Sequence, residues 1–380
     1  MGIESGTPLK HEWPVMVVRD AGALAALAPQ WHALAGPIPF RSWDWADSWW
    51  RHFASNRSEL FTLVVRDAHG DTLAIAPWYL ESSARAGRVL RFLGSGDVCS
   101  DYLTVLCRAG YEAEVAQRLA GWLSRDARGA WHLLDLDGVA AEEPIICALA
   151  NQLAGYDHAV HWQTLESAWR VTLADDWQSY LMTLSKSRRN RTRAILRDSF
   201  ESGRATVHRV TTAAELKRGF EILVDLHQRR RESLAEPGCF LSPRFLAFHR
   251  ELSARFLNSE KLWLSWIELG GRAVAVDYCF ISGDVVYYYQ GGFDPELAEE
   301  RPGWMVHVVG LKTAIEKQCV AYDFLRGDEP YKASWGGQPQ PLVRLRVAGR
   351  QPSAVARYAT WRGSRAVKRW TRQVLLKQKG

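Results

Sequence analysis

Between Tyr322 and Gly336 the chain reads YDFLRGDEPYKASWG, an apolar, β-prone run that turns within a few positions into Arg326, Asp328, Glu329, Tyr331 and Lys332. Such a group can supply a general base, a donor to developing negative charge and a general acid. Asp328 and Glu329 can supply the base and Tyr331 the acid, while Lys332 can hold a carboxylate, a phosphate or an oxyanion. Arg326 can pair with Asp328 and keep it ionised, because an adjacent cation depresses a carboxylate pKa. An Arg–Asp bridge that only braces a turn fits the same residues.

A second concentration is SKSRRNRTR at 185–193, five Lys/Arg in nine residues without an acid. Leu181, Leu184, Ile195 and Leu196 flank it, so one face can pack while the other is solvated. Facing an anion, the same arginines would make bidentate contacts. Gln290, Gly291 and Gly292 end a strand, where paired glycines mark a bulge, a close backbone approach or a plain hairpin exit. Asp101 and Tyr102 follow the loop-rich GSGDVC; Asp101 can attract an amine or cap a turn. His227 and His307 fall on helical faces without ligand spacing and read as structural. The six cysteines are scattered with no CxxC pair, and GxSxG is absent, which disfavours zinc and a hydrolase triad. No metal is expected.

Periodicity places these residues. Ala205 to Thr211 alternates as a strand, Ala213 to Ser233 is helical with Leu216, Phe220, Leu223, Leu226 and His227 on one face, and another helix follows Pro243. Lys261 to Leu269, Arg272 to Ile281 and Val285 to Gly291 form an antiparallel meander across GG and SGD turns. Pro302 and Gly303 open a helix carrying Trp304, Val308, Leu311 and Ile315 on one stripe. Val320 to Leu325 is the strand after it, and a last strand covers Val343 to Val347. A strand, a helix and a further strand in one sheet imply a right-handed crossover and a parallel pair, whose carboxyl ends line a crevice.

The first half repeats this outline. Strand Val15 to Arg19 precedes helices Ala21 to Leu34 and Ser42 to Phe53. A meander over Leu60 to Val65, Thr72 to Leu80 and Arg88 to Leu93 leads to helix Glu112 to Arg125 and a strand from Trp131. One helix over Trp177 to Phe200 joins the halves. The expected fold is α/β (α+β): tandem units, each a mixed, mostly antiparallel twisted sheet flanked by helices, at 1–174 and 175–350, with a basic tail at 351–380.

With 380 residues, 47% hydrophobic and 24% charged, the composition is globular and large enough for two cores. The 18 tryptophans suit cores and grooves alike. The net charge of +6 resides in the tail, since Glu329 is the last acid and the final thirty positions hold eight Lys/Arg. Tyr358, Trp361, Val367, Trp370 and Val374 among those cations suit an anionic membrane surface, nucleic acid, or a helix packed across the domains. The N-terminus lacks the features of a signal peptide, and no run of ~18 apolar residues occurs. A cytoplasmic protein is expected, with peripheral contact at the inner membrane face through the tail.

LSKSRRNRTRAILR, YYYQGGFDPE, RPGWM and YDFLRGDEPYKASWG resemble the GNAT acyltransferase superfamily, in the branch of CelD-like cellulose biosynthesis proteins and two-domain FemAB ligases. SDYL and PFRSWDWADSWW resemble that branch's first half. The resemblance implies an N-acyltransferase using acetyl-CoA or another acyl-CoA as co-substrate, with a small-molecule or saccharide amine as acceptor in exopolysaccharide or cell-envelope metabolism. It places the donor's pyrophosphate at the helix start of Arg301, Gly303 and Trp304. It places the pantetheine arm and the oxyanion on the splayed strand at Gln290, Gly291 and Gly292. A lysine at the place of Lys332 assists the reaction in FemAB ligases. The first unit, degenerate, would face the acceptor with Asp101 and Tyr102, and Arg188, Arg189 and Arg191 would dock an anionic donor or a sugar phosphate. Trp304 departs from the usual glycine-rich pattern, which leaves open an acyl carrier or an aminoacyl-tRNA as donor, the latter being the reading that calls for nucleic acid. A non-catalytic GNAT-fold partner of a polysaccharide synthase, tethered by the tail, is the remaining alternative.

Overall fold

The parallel pair forms as expected in the second unit: strand Val285–Phe293 runs beside strand Ala321–Arg326, with Val285↔Ala321, Val286↔Tyr322 and Tyr287↔Asp323 in register. Helix Pro302–Glu316 makes the crossover, with Pro302 in its first turn, where a missing N–H costs nothing. This computed structural model describes residues 13–360, so the tail's Trp361, Val367, Trp370 and Val374 lie outside the described residues.

Strands Leu262–Leu269 and Arg272–Ser282 complete the meander, and strand Ala205–Arg209 closes that edge of a seven-stranded sheet. The register shift at Tyr289 is a bulge in the strand that carries the paired glycines. Helix Ala213–Glu232 starts at a capping box, Thr212 with Glu215, and lays Phe220, Leu223 and Leu226 on the sheet.

The first unit repeats the crossover. Strand Gly87–Phe92 lies parallel to strand Leu133–Ala140 at Val89↔Leu133 and Leu90↔Leu134, joined through helix Glu112–Arg125. The protein is thus a mixed α/β fold of tandem units. The two units share one aromatic core: Phe40 and Trp45 of the first meet Phe248, Phe280, Tyr287 and Tyr289 of the second at ring separations of 5.2 to 6.3 Å. The Trp-rich helix Trp43–Phe53 is therefore a docking helix. It lies on helix Pro243–Asn258, whose Arg255 reaches Asp47 at 2.8 Å.

Four expectations change. The strand from Thr72 to Leu80 breaks at Pro77, which cannot donate to a ladder, and its halves Thr72–Ala76 and Trp78–Ser83 enter different sheets. The helix from Ala21 to Leu34 divides into Ala21–Ala25 and Ala28–Leu34, the second with Pro29 in its first turn. The linker helix divides into Trp177–Thr183 and Lys186–Ile195, because Leu184 is extended and Ser185 caps the second piece, its side chain accepting from the Arg188 N–H. Finally, the units exchange strands. Leu342–Ala348 inserts into the first unit's six-stranded sheet between Leu133–Ala140 and Val160–Thr164, while Ala168–Thr172 pairs with Ala321–Arg326 in the second unit's sheet.

Candidate functional site

Arg188 and Arg191, three residues apart on the basic helix Lys186–Ile195, share one helical face. Both cover Trp304 of the crossover helix: their guanidinium carbons stand 4.2 and 4.9 Å from its ring centroid, and Arg188 also covers Trp335 at 4.7 Å. The Trp304 indole N–H donates to Thr192 Oγ1 at 3.3 Å, which fixes the ring. These groups open into a cavity of about 410 Å³, walled by Thr183, Leu184 and Ser185 on one side and Ala333, Ser334 and Gly336 on the other. Its lining includes no acid, so its potential favours an anion. Burial and the proximity of Arg191 lower the Arg188 pKa. The helix start itself contributes little, since Pro302 has no N–H and that of Trp304 is spent on Arg301 O at 2.9 Å.

His307, one turn along the crossover helix, lies at the notch where the parallel strands part. Their ladder ends at Tyr287↔Asp323. Tyr288 and Phe324 then flank the imidazole at 5.2 and 5.3 Å, and Tyr331 stacks on it at 5.0 Å. Burial, with Arg188 and Lys332 nearby, pushes the His307 pKa down to about 3, so the ring is neutral, and its buried Nδ1 has no partner. Burial also lifts the Tyr331 hydroxyl well above the usual phenol range. It stays protonated at neutral pH and can act as a proton donor.

Lys332 does not face this cavity. Its buried ammonium donates to the carbonyls of Leu325, Arg326 and Gly327 at 3.1, 2.8 and 3.1 Å and lies 2.9 Å from Glu329 Oε2. Those contacts use its hydrogen-bonding capacity, so the role expected of it at an oxyanion or phosphate is corrected to a clamp on the strand end. Lys332→Met is expected to lower stability by about 2–3 kcal/mol, because it strands buried carbonyls. An unchanged urea midpoint with lost transfer would return Lys332 to the chemistry.

The Arg326–Asp328 bridge does not form either. Arg326 turns to the first unit and meets Asp101, with Nε 2.8 Å from Oδ1 and the Arg326 main-chain N–H donating to Oδ2 at 2.8 Å. Asp328 accepts from the Ser167 N–H and the Trp169 indole at 3.3 and 3.2 Å. Tyr102 donates its hydroxyl to Asp323 Oδ2 at 2.8 Å. Asp101 and Tyr102, expected at the acceptor, are thus joints between the units. Both sides of this joint are strained, with Tyr102 at φ 63° and Leu325 at φ 57°.

Asp323 adds a pH dependence. Burial lifts its pKa to about 6, above its unfolded value, so the folded state favours the protonated form. That contribution is present at low pH and is lost as pH rises through about 6. Asp277, also buried, is lifted to about 6 as well. Wild-type protein should lose roughly 2–3 kcal/mol per such group between pH 4 and 8, and Asp323→Asn should flatten that slope. Urea midpoints across the range would measure it, and parallel curves for variant and wild type would refute the assignment.

On the opposite face of the splayed strand, Gly292 touches helix Ala213–Glu232. A Cβ there would meet the His227 N at 2.5 Å, so the glycine serves packing of that helix. A Cβ on Gly291 would collide with the Tyr288 hydroxyl, and one on Gly303 would meet the Phe293 ring at 3.3 Å. Gln290 is half-buried beside His227. His227 is not isolated: Cys239 Sγ stands 3.6 Å from its Nε2 and Gln228 Oε1 3.2 Å from its Nδ1. Burial pushes the Cys239 thiol up to about 12, so it is not a thiolate. Arg301 is exposed, and Arg189 bends back to the carbonyls of Met182 and Leu184 at 3.4 and 3.3 Å, outside the cavity.

Residues 186–333 match the family model described as an acetyltransferase (GNAT) domain. That stretch is thus a GNAT-type acyltransferase domain. Among solved structures, FemX is 10% identical, with a TM-score of 0.60 over 87% of this chain and 96% of that one. The C-terminal domain of a protein named as a lysylphosphatidylglycerol synthetase from Agrobacterium fabrum is 10% identical, with a TM-score of 0.52 over 88% and 94%. L-PGS from Bacillus licheniformis is 12% identical, with a TM-score of 0.50 over 90% and 96%. At these identities the likeness is one of fold, and it spans both units. No curated protein matches this sequence.

Of the residues expected at the GNAT donor site, the fold gathers Trp304, Arg188 and Arg191 at one cavity, with Tyr331 at the adjoining notch. Sequence reasoning missed His307 as a member of that notch. Its signal was available, since it lies three residues after Trp304 on the same helix. Among the described residues no metal-binding group of three His, Cys, Asp or Glu side chains converges, and no helix is long and apolar enough to cross a membrane.

Proposed function

We propose that this acyltransferase moves an acyl group, most simply acetyl from acetyl-CoA, to an amine acceptor of exopolysaccharide or cell-envelope metabolism. The observation that carries the reading is the pairing of Arg188 and Arg191 over Trp304 at an acid-free cavity beside the parted strands. It suits a donor that anchors phosphates on the arginines and reaches the notch with its acyl end. The amine nitrogen attacks the thioester carbonyl carbon, and the oxyanion faces main-chain N–H groups of the splayed strand beyond Tyr287. As the C–S bond breaks, the sulfur takes the Tyr331 proton, and the nitrogen's surplus proton restores the phenol. His307, neutral and stacked on Tyr331, holds that ring in place.

Transfer from an aminoacyl-tRNA is the second reading. Lys186 and Arg193, seven positions apart on the same helix, are exposed on the side away from Arg188 and Arg191 and offer further cations to a nucleic-acid backbone, and FemX shares the fold. A donor screen with the purified full-length chain separates the two. Thiol release from acetyl-CoA on adding amines supports the first, RNase-sensitive transfer the second, and turnover with neither donor would end both.

A further inference from the structure

The six-stranded sheet of the first unit carries a second cavity, of about 710 Å³, that shares no lining residue with the one at Trp304. Its floor is a sheet face bearing Arg91, Asp135, Arg344 and Arg346; its roof is helix 352–360 with Arg357 and Tyr358. Strand alternation creates the concentration of charge. Arg344 and Arg346 are two apart on one strand and point to the same face, and Arg346 lies in register with Asp135.

Five arginines line this cavity, and the lining itself holds one carboxylate. Buried Asp135 receives Arg344 through two bonds of 2.6 Å, Arg91 at 2.9 Å and Arg346 at 3.1 Å. Glu81 takes the other edge of Arg91 at 2.8 Å from a more exposed position. At the rim, Arg357 donates to the carbonyls of Ala84 and Arg85 at 2.8 and 3.1 Å, and Arg85 also lines the cavity. Neither Arg85 nor Arg357 has an ion pair with an acid among the described residues. Half-buried His132, also in the lining, feels the surplus: burial together with Arg357 and Arg88 lowers its pKa.

A cationic surplus in a partly enclosed space raises the local potential and concentrates counter-anions. Residues 361–380 bring no acid to answer it. The volume falls within the ~300–1,000 Å³ of small-molecule sites. Leu133, Ala86, Ala354 and the Tyr358 ring add an apolar wall for a non-ionic body.

We propose that this cavity binds a multiply charged phosphate ester of nucleotide or sugar-phosphate size, with its phosphates between the rim arginines Arg85 and Arg357 and the arginine floor of the sheet. The ester is either a soluble molecule or the headgroup of an anionic lipid, and the site stands whether or not the transfer reaction is the one described above.

The test uses the full-length chain and the double variant Arg85→Ser/Arg357→Ser, whose exposed side chains carry no core packing. Titration calorimetry with inorganic pyrophosphate and ATP reads the soluble source; co-sedimentation with phosphatidylglycerol vesicles against phosphatidylcholine vesicles reads the headgroup. Saturable binding by wild type in either arm, weakened about 30-fold or more in the double variant at unchanged thermal midpoint, is expected for two lost charge-assisted contacts. Ligand loading should also raise the His132 pKa in NMR titration, because the anion offsets its arginine neighbours. Wild type that binds neither probe, or binding that the double variant retains in full, overturns the proposal; the latter would assign vesicle binding to the basic tail.

Discussion

Asp101→Ala should cost about 3–4 kcal/mol of stability, because it leaves the Arg326 guanidinium largely buried without its counter-charge. Asp101 is fully enclosed, and burial lifts its pKa against the pull of Arg326. Its carboxylate accepts both the guanidinium and the main-chain N–H of Arg326. The pair links residues 225 positions apart and belongs to two different units, so its loss should also loosen their docking. Tyr102, next in sequence, would lose support for its left-handed backbone and its bond to Asp323. A urea midpoint lowered at unchanged m-value would confirm the effect. A loss below about 1 kcal/mol would mean that the pair is solvated enough to be dispensable. Asp101→Asn, which keeps the shape and one acceptor, should fall between wild type and the alanine variant.

The second large effect belongs to the cavity. Arg188→Ala combined with Arg191→Ala should reduce kcat/KM for a phosphate-bearing acyl donor about 100-fold, through loss of two charge-assisted contacts. The loss should appear in KM, since the arginines hold the handle and not the reacting carbonyl. A donor without phosphates, such as the acetyl thioester of N-acetylcysteamine, provides the control. Its kcat/KM should be the same in variant and wild type. An equal loss on both donors would place the arginines in fold maintenance and remove them from donor binding. Trp304→Leu should give a smaller loss of the same kind, because it removes the surface on which both guanidiniums rest.

The local elements were legible because their signals are local. The Pro-Gly start of the crossover helix, the Thr212 capping box, the GG and SGD turns and the alternation of the meander each act within a few residues. The breaks at Pro77 and Ser185 were overlooked although a missing donor and a capping hydroxyl mark them. Of the site, Trp304, Arg188 and Arg191 were found as separate motifs, an anion-facing helix start and a charge run, without a reason in the sequence for their contact. The spacing from Arg326 to Asp328 pointed to a local pair, and that was misleading. A flexible guanidinium takes the partner that is most desolvated, and the fold brings up a fully buried carboxylate from the other unit.

Periodicity, caps and the order of elements in this chain already specify two α/β units, each with a strand–helix–strand crossover, and they mark the segment around Lys332 as unusual. Tertiary structure alone decided what the charges there do. Lys332 became a clamp because three carbonyls converge where the strand ends, and the two units became interlocked because each inserts a strand into the other's sheet. The physical reason is that helix and strand preferences are settled over a few residues. The partner of a buried charge, by contrast, depends on which distant segments the shared hydrophobic core brings together.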